Sequence, residues 1–519
     1  MTGKIHQYTD YTESKTVVSD VCIIGSGCGG ATLAKRLSDL GMSVVVVEQG
    51  GYYPAESMDQ NELNMAGKIS AERNFATSAD GGNSLVYGAN VGGASVHYWA
   101  DSYRTPSDRL DLWKSRYGIT GHGLAELAPA WDEIEQNLNI HEAPDEYFNR
   151  MNQLVRAATK TLGWKGHRMP QARKDCVMSG HCMQGCNYDA KQSQMITHIP
   201  MAIENGAQIY ADCMAQNLVH ADGKVVALEA RAMDRARNRP SDTSIRFEAG
   251  AFAIAAGGFN SAYFLLKQDG FKEALPALGK HFSMNPTAMV HAQYDERIEL
   301  WRGIPSAWGI DEFRLARYDS TGGYIEGGYL LMANQVHPGL LAAVIPGFGS
   351  DHADWMKNLA NFGSTAGWID DYPDELGEIS INADGARVVT YEYGPTTKKI
   401  LRDLIKKQIL VHQAAGARRI LVGDYAGTKI EKPSDMARID NLPISAGGLI
   451  LSAPHPAGGC RMGDSPKTSV VGSDHLVHGF QNLFVSDSSV FPTGVSMDPS
   501  LTIMGFSYVA AEHILSAIN

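Results

Sequence analysis

Two hydrophobic periods divide this chain. Residues 21–24, Val-Cys-Ile-Ile, form a short apolar run without polar interruption, the pattern of a strand buried on both faces. A glycine-rich turn follows. Leu33, Ala34 and Leu37 then recur at helical spacing within residues 31–40. A second continuous run, four valines at 44–47, predicts another buried strand, so the order is strand, helix, strand, as in a parallel sheet. Residues 51–101 are rich in Gly, Asn and Ser and predict mostly loop. Helical spacing returns over 124–138 in spite of Pro129, over 149–162, and over 193–205 in spite of Pro200. Residues 207–233 alternate in polarity on either side of Ala-Asp-Gly-Lys and predict a hairpin. Residues 246–266 repeat the order strand, glycine turn, helix. Strands dominate 287–393, including a hairpin over 377–393. A long helix is predicted over 395–415 and a last one over 501–518.

With 519 residues the chain exceeds what one hydrophobic core organises, so two domains are expected. The formal net charge of −12 argues against nucleic acid as a partner, because phosphate binding needs an excess of Lys and Arg. The first twenty residues are polar and lack the apolar run of a signal peptide, and no uninterrupted apolar stretch reaches the length of a membrane span. Seven cysteines, an odd number in a long chain, speak against a secreted disulfide framework. A cytoplasmic location is the expectation, with export alongside a signal-bearing partner left open.

The turn after the first strand carries Gly25, Gly27 and Gly30, the GxGxxG spacing. Gly25 permits a tight turn, Gly27 lets backbone approach a pyrophosphate, and Gly30 lets helix and strand pack closely. The helix N-terminus favours the anion. Glu48 ends the second strand, where such units place the acid that binds a ribose hydroxyl. A dinucleotide is the expected ligand of this segment.

Several further motifs stand in a fixed order: "VGGASVHYWADSYR", "FAIAAGGFNSAYFLL", "HPAGGCRMG" and "NLFVSDSSVFPTGVSMDPSLTIMGFSYVAAEHI". With "VCIIGSGCGG" they make the chain resemble the glucose–methanol–choline (GMC) oxidoreductases nearly end to end. The resemblance implies an α/β chain with α+β elements. A Rossmann-type FAD-binding domain (17–105, 190–285 and 446–519) would interleave with a substrate domain built on an antiparallel sheet with flanking helices (106–189 and 286–445). It also implies an alcohol, such as a sugar or glycoside, oxidised by proton abstraction at His455 and hydride transfer to flavin N5. Oxygen, a quinone or a cytochrome would accept the electrons. Gly92, Gly93 and Ser95 would lie along the flavin, Ala215 and the turn Ala256–Gly257 at the nucleotide, and Asp487 near the ribityl hydroxyls. The helix after Pro499 would point at the flavin.

Three positions keep alternatives open. His97 is either an aromatic wall or the point of covalent flavin attachment, as in pyranose 2-oxidase; noncovalent FAD is the preferred reading. Cys176, Cys182 and Cys186 lie in a loop resembling bacterial dehydrogenases and long-chain alcohol oxidases. In flavin sugar dehydrogenases a similar triplet holds an iron–sulfur cluster; the alternative is three thiols packed as small apolar groups. Asp498 replaces the family's histidine or asparagine. It caps the helix beginning near Pro499, orients His455, is itself the base, or binds a cationic group on the substrate. Because a carboxylate only accepts hydrogen bonds, a flavoprotein of this fold with lyase or hydratase activity is the alternative function. A NAD-dependent dehydrogenase is disfavoured by "HPAGGCRMG" and the C-terminal motif. His475 and His478, in a turn before a strand, are read as structural.

Overall fold

The computed structural model describes residues 3–235 and 238–518. Its first sheet has the strand Lys15–Ile24 at the centre. The apolar end of this strand is fully buried, while its first six residues, of mixed polarity, alternate between half-buried and exposed. Val44–Val47 and Gln208–Tyr210 continue the sheet on one side in parallel, ending in Lys4–His6. On the other side runs Arg239–Ile254. Its C-terminal half pairs in parallel with Lys15–Ile24, and its N-terminal half pairs antiparallel with Lys224–Asp234. Leu483–Val485 also joins Arg239–Ile254 in parallel. The predicted hairpin is present: Cys213–Ala221 and Lys224–Asp234 are joined by Asp222 and Gly223, both at positive φ, as a two-residue turn between twisted strands requires.

The helix predicted at 31–40 runs Cys28–Asp39 and takes in two glycines. Gly29 and Gly30 are poor helix formers, but an added Cβ would stand 2.1 Å from the Ser486 carbonyl oxygen and 1.9 Å from that of Gly25. The helix packs against the C-terminal helix Ser500–Ile518, which packs in turn on Leu124–Asn137, where Trp131 Nε1 donates to Leu501 O at 3.1 Å. By length and mean hydropathy (1.4), Ser500–Ile518 could cross a membrane, contrary to the expectation of no such stretch. The face carrying Leu501, Met504, Ala511 and Ile514 is buried inside the molecule, as in a core helix.

The second sheet is antiparallel over most of its extent. Its order is Lys429–Ile430, Arg419–Val422, Thr287–Gln293, Phe362–Ile369, Tyr329–Ala333, Trp308–Ile310 and Gly166–Arg168. Leu451–Ala453 pairs with Thr287–Gln293 and, in parallel, with Asn83–Leu85. Both of these strands come from segments that the sequence places in the nucleotide-binding domain. The long helix Pro395–Ala414 covers this sheet, with Ile400, Leu404, Ile405 and Ile409 buried.

Local differences from the expected elements have local causes. The helix predicted over 193–205 is a short turn, Gln194–Ile196, followed by His198–Glu204. Pro200 falls in the first turn of the latter, where N–H groups lack helical partners. The loop expected over 51–101 contains the helix Glu62–Ile69, whose N-cap Asn61 accepts from the N–H groups of Leu63 and Asn64. Ser107–Tyr117, Pro338–Val344 and Gly349–Lys357 are further helices that periodicity did not reveal.

Candidate functional site

The carboxyl ends of the parallel strands converge on one cavity of about 460 Å³, the place where open α/β sheets bind ligands. The glycine turn after Ile24, Glu48 after Val47, Ala255–Gly258 after Ile254, and Asp487 beyond Val485 all line it. Gly25 has φ 101°, and a Cβ there would stand 2.3 Å from Ala255 O. Gly93 has φ 56°, and its Cβ would meet Gly27 Cα at 2.8 Å, so the two glycine segments pack backbone to backbone.

Glu48 is buried and ties the first turn together. One carboxylate oxygen accepts from Ser26 N–H (3.1 Å) and Oγ–H (2.8 Å), the other from Gly50 N–H (2.8 Å). Burial pushes its carboxyl above the ordinary range against these hydrogen bonds. Asp487 does the same for the second turn. Its Oδ2 accepts from Gly257 N–H (2.8 Å) and Ser261 Oγ–H (2.5 Å), and its Oδ1 accepts from Ser489 N–H at 2.8 Å, capping the turn Ser488–Val490. Burial raises its carboxyl also. Ala215 lines the cavity where the ladder with Lys224–Asp234 slips: Asn217 faces Glu229 and Ala215 faces Ala230. A bulge of this kind frees backbone groups from the ladder.

The fit to a dinucleotide rests on open space at these turns. A Cβ on Gly27 would meet no atom closer than 3.9 Å, and one on Gly257 nothing within 4 Å. Both turns therefore offer bare backbone to a ligand, as a pyrophosphate needs. The residues suit FAD.

Gly92, Gly93, Ser95 and His97 form the adjoining wall. Gly92 has φ 97°; Ser95 Oγ–H donates to Gly92 O at 2.6 Å and its oxygen accepts from Gln194 N–H at 2.9 Å. The Lys191 ammonium, buried, donates to the carbonyls of Val96, Tyr98 and Cys182 and so clamps the backbone around His97. Burial pulls this ammonium down to about 8 and, with Lys191 nearby, pulls the His97 imidazole down to about 4. His97 is therefore neutral near pH 7, and its buried Nε2 has no partner within the chain.

The cysteine expectation is corrected. Cys182 Sγ accepts from Arg173 Nη1–H at 3.4 Å, while Cys176 Sγ accepts from Met178 N–H. Among the described residues no group of three or more His, Cys, Asp or Glu side chains could hold a metal ion, and Cys186 supplies no third ligand. The loop therefore offers no iron–sulfur site among the described residues. His475 and His478 are structural. The first is buried, with Nδ1 on Val485 O and Nε2 on His122; the second meets Ser469 Oγ at 2.9 Å.

His455 and Asp498 meet at the far end of the cavity, His455 Nε2 lying 3.2 Å from Asp498 Oδ1. His455 Nδ1 lies 2.7 Å from Asn285 Oδ1. The Asn285 amide is fixed because its Nδ2–H donates to Ile369 O at 2.6 Å. An acceptor oxygen therefore faces Nδ1, so Nδ1 carries hydrogen and Nε2 is the basic atom. Asn285 itself has φ 47° and donates its backbone N–H to Asp371 Oδ2 at 2.8 Å. Trp368 packs edge-on against the imidazole, centroids 5.2 Å apart. The capping expectation for Asp498 fails: neither oxygen takes a helix N–H, and Oδ2 is buried without a partner. Pro499 and Ser500 line the cavity, where the helix Ser500–Ile518 begins.

Asp101 is the neighbour that pattern reading did not single out, although it lies inside "HYWADSYR". It is fully buried, lines the cavity, and accepts from Gln171 Nε2–H and from Ser306 Oγ–H on both oxygens. Burial first, and then the Asp498 charge, push its carboxyl well above the usual range. Asn285 and Trp368 were likewise unmarked. Only the Asn-Pro dipeptide at 285–286 signalled a special backbone.

Comparison with known proteins agrees with this geometry. Two models of the GMC oxidoreductase family match residues 22–287 and 373–507. An uncharacterised GMC-type oxidoreductase of Mycobacterium tuberculosis is 27% identical over 96% of this chain and 76% of its own length. A long-chain-alcohol oxidase of Arabidopsis thaliana is 23% identical over 96% of this chain and 68% of its own. Among solved structures, formate oxidase of Aspergillus oryzae, in a study of its FAD modification, superposes with TM-score 0.71 at 13% identity, covering 97% of this chain and 99% of the other; that likeness is one of fold.

Proposed function

The chain belongs to the GMC oxidoreductases, enzymes that bind FAD and act on CH–OH donors, and from that premise we propose that it oxidises an alcohol to a carbonyl with His455 as proton acceptor. The observation that carries this reading is the basic Nε2 of His455 in a cavity shared with both glycine turns. Bound FAD supplies the acceptor for the carbinol hydrogen and its two electrons. The glycine turns, with Glu48 and Asp487 behind them, would hold its dinucleotide part. Ala215 would meet the adenine, and Gly92, Gly93, Ser95 and His97 the ring system. His455 takes the hydroxyl proton at Nε2 while Asn285 holds the ring by Nδ1. Asp498 faces the imidazolium that then forms and stabilises it, as a carboxylate does beside a catalytic histidine. The alternative, a lyase or hydratase of this fold in which FAD is structural, predicts that no alcohol bleaches the flavin.

FAD is proposed to be held noncovalently. The second reading, a link to His97, has one observation in its favour, the unpartnered Nε2. Acid precipitation separates the two: a yellow pellet that turns white in His97→Ala would establish the link.

The main test is an anaerobic screen of alcohols against the purified protein. A substrate bleaches the flavin spectrum, and fast recolouring in air marks oxygen as the acceptor, slow recolouring a quinone or cytochrome. His455→Ala should retain FAD and lose reduction by about 10²-fold or more. Full reduction by this variant would refute the assignment.

A further inference from the structure

The substrate end of the cavity has an acceptor with nothing to accept. Asp498 is about nine-tenths buried, its Oδ1 faces His455 Nε2 at 3.2 Å, and its Oδ2 lies buried without a hydrogen-bond donor from the chain. A buried carboxylate oxygen left so carries a desolvation cost that an N–H or O–H donor, from a ligand or an ordered water, offsets. Asn285 settles the character of the pair, since with Nδ1–H given to Oδ1 of the amide, Nε2 and Asp498 Oδ1 are both acceptors when His455 is neutral. Two acceptors facing each other at that distance need either a proton shared between them or a donor beside them.

The surroundings are suited to a cation. Asp101, the carboxyl next to Asp498, is pushed well above its ordinary range by burial first and then by the Asp498 charge, so the two carboxyls do not share that end of the cavity on equal terms. The indoles of Trp99 and Trp368, 5.5 Å apart, line the same end of the cavity, and ring faces attract cations. Beside them, Thr287 Oγ has no partner and can accept or donate to a polar group of the ligand.

We propose that the substrate is an amino alcohol whose protonated amine, primary or secondary, binds Asp498 Oδ2 while its hydroxyl binds His455 Nε2. This rests on the reading of His455 as proton acceptor. A quaternary ammonium does not serve, because Oδ2 needs an N–H donor. The two anchoring atoms belong to side chains in contact, so amine and hydroxyl sit on adjacent carbons or one carbon apart.

The test uses the holoenzyme and matched probes. The first measurement is binding of cyclohexylamine and of cyclohexanol, read by tryptophan fluorescence and by perturbation of the flavin spectrum. The amine should bind about tenfold or more tightly, the range of one charge-assisted hydrogen bond, and Asp498→Asn should abolish the difference. The second is kcat/KM for 1-amino-2-propanol, its N,N,N-trimethyl analogue and 1,2-propanediol. The primary amine should lead, and the amine-to-diol ratio should fall about tenfold or more in Asp498→Asn. Should that variant lose FAD or its fold, the wild-type preference decides by itself. Equal binding of amine and alcohol, or a diol or trimethyl analogue turned over as well as the amine, would overturn the proposal and leave alcohol oxidation standing. If His455→Ala still reduces its flavin, the underlying reading fails, and the binding measurement alone then judges the amine site.

Discussion

Single residues here act through the atoms they hold in place. Asn285 is a positioning residue: it does not line the cavity itself, yet its oxygen chooses the His455 tautomer. Asn285→Ala should keep FAD and lower kcat by roughly 10–10²-fold, less than the loss in His455→Ala. KM should move little, and the pH profile of kcat should shift, because the ring loses the acceptor that fixes Nδ1–H. An unchanged profile with unchanged kcat would remove Asn285 from the mechanism. Asp101 makes a prediction about stability. Its carboxyl is raised in the folded chain, so the folded form holds a proton that the unfolded chain releases near pH 4. The stability this gives is fully present below that value and is lost as pH rises through the folded value. Asp101→Asn keeps an acceptor for Ser306 and removes the titration. Melting curves from about pH 5 to about pH 8 should show the wild type losing ground to the variant as pH rises. A constant gap would mean that Asp101 is charged throughout.

At the scale of elements, the glycine turns separate two requirements that spacing alone merges. Gly30 faces its own fold, with 1.9 Å between an added Cβ and Gly25 O, whereas Gly27 faces the cavity with 3.9 Å to the nearest atom. Gly30→Ala should therefore cost about 3 kcal/mol or more of stability, or fail to fold, as backbone must move. Gly27→Ala should melt like the wild type in the absence of FAD and bind FAD far more weakly, because only the ligand would meet the new methyl. Thermal melts of both apoproteins, followed by flavin titration, check this; equal loss of stability in the two would contradict the geometry. Helices with strong period and long runs, such as Arg150–Leu162 and Pro395–Ala414, were legible within a residue or two. Glu62–Ile69 was not, since Gly67 and its polar flanks look like loop until the Asn61 cap is seen.

Across the whole molecule the chain weaves between its sheets. Asn83–Leu85 and Leu451–Ala453 enter the antiparallel sheet, while Leu483–Val485 returns to the parallel one and Ser500–Ile518 packs beneath it. Removing the C-terminal segment from residue 446 onward should therefore damage both sheets. The remaining chain should show no cooperative melt, whereas separable domains would leave one sheet folded, and a calorimetric trace with one surviving transition would disprove the interdependence.

What the sequence determined by itself is what short range encodes. Continuous apolar runs marked the buried parallel strands, the first glycine of the spacing, Gly25, marked a positive-φ turn, and Glu48 and His455 fall just beyond strand ends on one cavity. Only the tertiary structure decided what surrounds the reacting atoms. Asn285 reaches His455 across 170 residues, and Asp498 reaches it from another segment, with Asp101 and Trp368 arriving from two more. No period or local backbone preference records such neighbours, since they are chosen by which strand ends the two sheets bring to one cavity. For the same reason the cysteine spacing could not choose between its alternatives: Cys176 Sγ takes Met178 N–H while Cys182 Sγ takes the buried Arg173, a neighbour that spacing does not record.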